Sequence, residues 1–125
     1  MLLSRIAVRR AALALIVIPF VDATQTHAMT DDYVATSRKA LAGDYQARRN
    51  MAFCFRVGDD GVVCRGWPRP APIEACAWRA VVLFSGDRRV DGTDTAGLKI
   101  DCGKLDAADL AAAEAKAGRY GQGRH

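Results

Sequence analysis

The chain has 125 residues, 50% of them hydrophobic and 26% charged, with a formal net charge of +4. This is the composition of one soluble globular domain, and it excludes a TIM barrel, a complete dinucleotide-binding enzyme or two ordinary domains. Alanine supplies 23 residues and proline only 4, which favours helix from the start.

Residues 1–10 carry Arg5, Arg9 and Arg10. Residues 11–21 form an eleven-residue apolar run broken only by Pro19, and a small polar stretch, 22–28, follows. This is the three-part layout of a secretory signal peptide. As a helix the apolar run reaches about 16 Å, roughly half a bilayer core, so no stable membrane span is expected. Cleavage after Ala23 or Ala28 fits, and Ala28 is preferred, which makes 1–28 a leader. No cysteine follows the run, so a lipid anchor is not indicated.

Without the leader, residues 29–125 make a chain of 97 residues in which 15 Lys and Arg face 13 Asp and Glu, a net +2. That balance does not support nucleic acid as a partner. His27 leaves with the leader, so His125 is the one histidine remaining.

Thr30 is the expected cap of a short helix ending at Gly43, with Asp31 and Asp32 in its first turn. Asp44 caps a second helix from Tyr45 to about Val57, whose apolar stripe is Ala47, Met51, Cys54, Phe55 and Gly58. Residues 59–71 read as a loop punctuated by Gly61, Gly66, Pro68 and Pro70. Pro72 suits the first position of a third helix. Ile73, Cys76, Ala77, Ala80, Val81 and Phe84 share one face of it, and Ala75, Trp78 and Val82 widen that face. This helix is expected to be the most buried, and Gly86 stops it. After a polar turn at 87–92, a fourth helix is expected over 94–103. Asp106 and Asp109 announce a fifth over 107–117. Residues 118–125 read as a disordered tail.

Cys54, Cys64, Cys76 and Cys102 all follow the leader. An even count in a small exported domain reads as two disulfides. A metal site is disfavoured, because the gaps are long and no CxxC or nearby histidine helps. No cofactor is indicated.

The stretch Ala40-Leu41-Ala42-Gly43-Asp44 through Asn50-Met51-Ala52 to Phe55 resembles the first half of a Sel-one-like repeat, a tetratricopeptide-like helical hairpin. Gly58 with Gly61-Val62 is similar to the family's turn. Ala75, Trp78, Val81-Val82 and Gly86-Asp87 are similar to its second helix. The resemblance covers about 40–87. Departures are the longer loop from Val62 to Ala75, Met51-Ala52 in place of Leu-Gly, and a single repeat. It implies an all-α fold: a small bundle of about four to five helices around one hairpin, disulfide-stapled, spanning 29–117.

Hairpin symmetry orders the possible disulfides. Cys76 and Cys102 lie equally far from the turn at 86–92, and Cys54 and Cys76 are nearly level about the 59–71 loop; Cys76–Cys102 with Cys54–Cys64 is favoured because the second bond staples the glycine-rich loop to its own helix. The alternative is Cys54–Cys76 with Cys64–Cys102.

Catalysis through Ser-His-Asp or Cys-His needs an internal imidazole, and none remains. Asp59, Asp60, Asp91 and Asp94 sit where capping and turn carboxylates are commonplace. Arg48, Arg49, Trp67 and Arg69 are the candidate partner contacts, Trp67 and Arg69 within a proline-bounded loop, although folding back to cover the hairpin is favoured for Trp67 and a solvated face for Arg48-Arg49. The expected function is therefore an exported, periplasmic or secreted, non-enzymatic module that binds a protein partner or serves the cell envelope structurally. The alternative is a secreted inhibitor or effector acting through the 59–72 loop.

Overall fold

The computed structural model describes residues 23–122, with side chains from Asp32 onward. Among them are five helices and no strand: α1 Ala23–Leu41, α2 Tyr45–Val57, α3 Pro72–Leu83, α4 Gly92–Cys102 and α5 Ala107–Tyr120. The fold is all-α. None of these helices is long and apolar enough to cross a membrane.

Three helix boundaries depart from expectation. α1 passes through Thr30 and begins at Ala23, so Thr30 is not its cap. Residues 24–29 contain neither glycine nor proline, so nothing in them interrupts a helix. Cleavage after Ala28 would fall inside α1, and residues 1–22 of the expected leader lie outside the described residues. α4 begins at Gly92, because Asp91 is the cap and forms a reciprocal box with Asp94. α5 continues past Ala117 to Tyr120, so the expected disordered tail is helical in its first three residues. Residues 123–125 of that tail lie outside the described residues.

The other termini follow local chemistry. Asp44 accepts a 2.7 Å bond from the Ala47 amide at the start of α2. Gly58 ends α2 at φ 73°, a conformation that disfavours any side chain. A Cβ there would also stand 2.7 Å from Pro70 Cδ, so the loop closes directly onto the helix end. Pro72 opens α3, where its missing N–H costs nothing.

α2 and α3 run antiparallel. The Ala71 amide, just before α3, donates to Phe55 O near the end of α2, at 2.8 Å. At the opposite end, Arg48 of α2 and Ala80 and Val81 of α3 line one cleft. The Cys76–Cys102 disulfide joins the first half of α3 to the end of α4, which lies back along it. The Cys54–Cys64 disulfide ties the connecting loop to α2. Both bonds are the favoured pairing.

α3 lies at the centre of the bundle, packed by α2, α4 and α5. Ala75, Cys76, Ala77, Trp78, Val81 and Val82 are all buried on it. Met51, Ala52 and Phe55 of α2 meet this surface, and Tyr33 of α1 covers Phe55 with an edge contact at 5.9 Å. Burying a side chain such as Val82 or Met51 stabilises the fold by about 1.5–3 kcal/mol. Phe84 departs from the expected buried face and is 80% exposed. It sits at the C-cap of α3, where the backbone leaves the helix.

Candidate functional site

The side of α3 that faces α2 and α4 is ionic. Arg79 follows Trp78 in the middle of the most buried helix and is itself buried. Two α4 carboxylates flank it, Asp94 and Asp101. They are seven residues apart and therefore on one helix face. Arg79 Nε donates to Asp101 Oδ2 at 3.0 Å, and Arg79 Nη1 lies 3.6 Å from Asp94 Oδ1. Gly97 falls between the two carboxylates and leaves room for the guanidinium.

α2 supplies the other half. Tyr45 lies 2.6 Å from Asp94 Oδ2 through its hydroxyl, and 2.9 Å from the Arg89 carbonyl. A phenol has one proton, and the shorter, charge-assisted bond to Asp94 takes it. Arg49 Nε stands 3.0 Å from Asp94 Oδ1, and Arg56 Nη1 stands 3.5 Å from Asp101 Oδ1. Neither Oδ1 atom has a well-directed hydrogen bond, so these pairs act chiefly through charge. Three guanidiniums thus surround two buried carboxylates, an excess of one positive charge.

Burial pushes the Asp101 carboxyl above the ordinary carboxylate value, against the opposing pull of Arg79 and Arg56. Burial, then the hydrogen bond to Asp94, pushes the Tyr45 hydroxyl up.

A groove of about 380 Å³ opens between α2 and α4 above this network. Arg49, Phe53 and Arg56 form one wall, Thr93, Ala96 and Ile100 the other, and Arg79 and Gly97 also line it. Arg56 and Ile100 also line a second, wider cleft of about 630 Å³ with Pro72, Lys99, Lys104 and Leu105. Ile100 is 58% exposed on the ridge between them. The two clefts therefore form one surface that combines exposed apolar groups with cations.

The expected contact residues do not form a common surface. Trp67 is only 6% exposed and lies edge-on to Tyr33 at 5.3 Å. It covers the hairpin, and its indole N–H has no acceptor. Arg48 is 4% exposed and donates through Nε to Ala40 O at 2.9 Å. Trp67 is thus unavailable as a surface contact, and Arg48 is reached only through the wall of a cleft between α3 and the end of α5. Arg49 belongs to the ionic groove, and Arg69 is exposed in the loop.

The loop aspartates serve backbone groups. Asp59 accepts from Gly61 and Gly66, while Asp60 accepts from Val62 and Cys64. Those amide bonds hold the exposed Asp60 carboxyl below its ordinary value. Asp91 caps α4. All four cysteines are in disulfides, so none offers a thiolate to a metal.

Sequence reasoning missed Arg79, Asp94 as a buried ion, and Asp101. Two signals were present: an arginine inside the apolar run Ala75–Leu83 of α3, and Asp94-x-x-Gly97-x-x-x-Asp101 on one helix face. The chain matches no family model, no curated protein and no solved structure.

Proposed function

We propose that this is an exported, periplasmic or secreted, non-catalytic interaction module, built on a single divergent Sel-one-like hairpin. Its partner is a protein segment that combines acidic and apolar side chains. The observation that carries the reading is the continuous surface on α2 and α4, where Phe53 and Ile100 stand among Arg49, Arg56, Lys99 and Lys104. An apolar patch rimmed by charge is a common form of protein-binding surface. The excess of arginine over carboxylate beneath it favours an acidic partner. Two disulfides in a small domain support an oxidising compartment. The buried carboxylates are occupied by arginines and a tyrosine, which supports a structural rather than a proton-transferring role.

A second reading, an inhibitor or effector acting through the 59–72 loop, is favoured by Val62, which is 74% exposed beside exposed Val63. Asp60 and the Cys54–Cys64 bond hold those two valines in place.

Photo-crosslinking residues placed at Ile100 and at Val63 separate the readings. A discrete adduct from Ile100, lost when Phe53→Ser and Arg56→Glu are added to a still-folded protein, supports the groove. An adduct from Val63 alone transfers the function to the loop. Adducts from neither position defeat both.

A further inference from the structure

We propose that the cleft beside Arg48, on the face formed by α3 and the end of α5, binds a carboxylate carried on a short apolar body. Arg48 is buried, and its Nε donates to Ala40 O at 2.9 Å. Its Nη2 is buried without any hydrogen-bond partner. A guanidinium keeps its charge, and a buried charge calls for a counter-ion.

Among the described residues none pairs with it. Asp87 is the acid whose field reaches Arg48, but Arg89 holds it. Arg89 donates Nε and its own amide to Asp87 Oδ1, at 3.0 and 2.9 Å, and Nη2 to Oδ2 at 2.8 Å. That contact holds the Asp87 carboxyl down at about 2. Two other polar groups at the cleft are also taken. The Ser85 hydroxyl donates to Val82 O and accepts from the Asp87 amide. The Ala117 carbonyl accepts from the Gly121 amide at 2.9 Å.

Arg48 forms part of the wall of a cleft of about 300 Å³. Ala80, Val81 and Phe84 supply apolar wall, and Phe84 is otherwise open to solvent. The volume equals that of about ten waters, which suits an acid with a short chain and lies at the small end of ligand sites. Arginine recognises the planar carboxylate geometry through paired N–H donors. The carboxylate would belong to a free acid or to a peptide terminus, and the apolar walls would take whichever body carries it. This site lies apart from the α2–α4 groove and does not depend on the function proposed there.

The test titrates the oxidised protein with sodium hexanoate and follows its backbone amides by NMR. Hexan-1-ol and hexylammonium provide the same body with other heads, and acetyl-alanyl-leucine provides a peptide terminus. Saturable shifts at Ala80, Ser85 and Gly118 are expected for hexanoate or the peptide acid, with affinity at least about tenfold weaker for the alcohol and the amine. Arg48→Met should weaken carboxylate binding by a similar factor. Should that variant fail to fold, Gly118→Leu provides the second test. Gly118 lines the cleft and a Cβ there meets nothing within 4 Å, so the fold has room for an added side chain at the cleft's edge. It is expected to weaken binding and leave the fold intact. Tighter binding of the peptide identifies a chain terminus as the source, and tighter binding of hexanoate a free acid. The proposal is overturned if neither carboxylate gives saturable shifts below about 10 mM, if the alcohol binds as well, or if Gly118→Leu changes nothing.

Discussion

Gly97 stands where a side chain would strike Arg79: a Cβ on it would lie 2.7 Å from Nε and 2.8 Å from Cζ. The arginine cannot readily retreat, because Asp101 holds its Nε at 3.0 Å and Asp94 draws its Nη1 from the other side. A missing side chain on α4 and a long charged one on α3 are thus a single packing solution.

Gly97→Ala tests that relation against helix propensity. In an open helix the change would stabilise by about 1 kcal/mol. Here overpacking should reverse the sign and cost about 1–3 kcal/mol. Gly92→Ala is the control, since a Cβ there meets nothing within 4 Å. Urea denaturation should show Gly97→Ala less stable than the parent and Gly92→Ala no less stable. Two stabilised variants would show that the Arg79 site yields easily.

The pH dependence of stability should report on Asp101. Burial raises its carboxyl in the folded state, so between the folded and ordinary values the native protein binds the proton more tightly. This group therefore opposes folding above its folded value. The penalty shrinks as the pH falls through that value, and is gone below the ordinary carboxylate value. Asp101→Asn removes this titration but leaves Arg79 and Arg56 short of a counter-ion. The expected readout is a difference of slopes. From neutral pH down to about 4, wild type should gain stability relative to Asp101→Asn. Parallel curves would show that Asp101 ionises in the fold as it does in the unfolded chain.

The two disulfides should differ in their contribution. Cys76–Cys102 spans 26 residues and Cys54–Cys64 spans 10. Loop entropy alone gives about 3.5 and about 2.7 kcal/mol. The longer bridge also joins two helices, whereas the shorter one ties a loop to its own helix. Replacing both Cys76 and Cys102 by alanine should lower the Tm by several degrees more than replacing Cys54 and Cys64. The reverse order would mean that the 58–71 loop, and Trp67 within it, matters more to the fold than the α3–α4 contact.

The helices were legible because their ends are chemically marked. Asp44, Asp91 and Asp106 cap with their carboxylates, Pro72 opens α3, and Gly43, Gly58 and Gly86 adopt positive φ at its breaks and those of its neighbours. Cys76–Cys102 was legible because a helical hairpin brings positions equidistant from its turn level with each other, and Cys54–Cys64 because it staples the glycine-rich loop to its own helix. The fold-back of Trp67 over the hairpin was legible in the sequence, but its cover was not, because Tyr33 lies more than thirty residues away on a helix with little apolar patterning. The ionic interior was hidden for a different reason. Arg79 and Asp101 are of types that ordinarily face water, and Asp94 also has a complete local explanation as a capping-box partner. Only the juxtaposition of α2, α3 and α4 shows that these charges face one another.

Tyr120 provides the last test, because it lies where the chain was expected to have left the fold. Its ring stacks on Trp78 with centroids 4.7 Å apart and planes at 10°. Its hydroxyl donates to Glu74 Oε2 at 2.8 Å, and Lys116 Nζ pairs with Glu74 Oε1 at 2.5 Å. Burial and the bond to Glu74 both push the tyrosine hydroxyl up, so it stays protonated and donating at any ordinary pH. The stack contributes about 0.5–1.5 kcal/mol beyond burial, and the bond to a charged acceptor about 1.5–3 kcal/mol when well shielded. The ring is only half-buried, so the lower ends apply, and Tyr120→Ala should cost about 2 kcal/mol. Tyr120→Phe, which keeps the stack and loses the bond, should cost about 1.5 kcal/mol. Ending the chain after Ala117 removes stack and bond together, and should lower stability by at least as much as Tyr120→Ala. Near-ultraviolet circular dichroism follows the Trp78 environment in the same samples. If truncation left both the Tm and that signal unchanged, the last turn of α5 would have no part in holding α3.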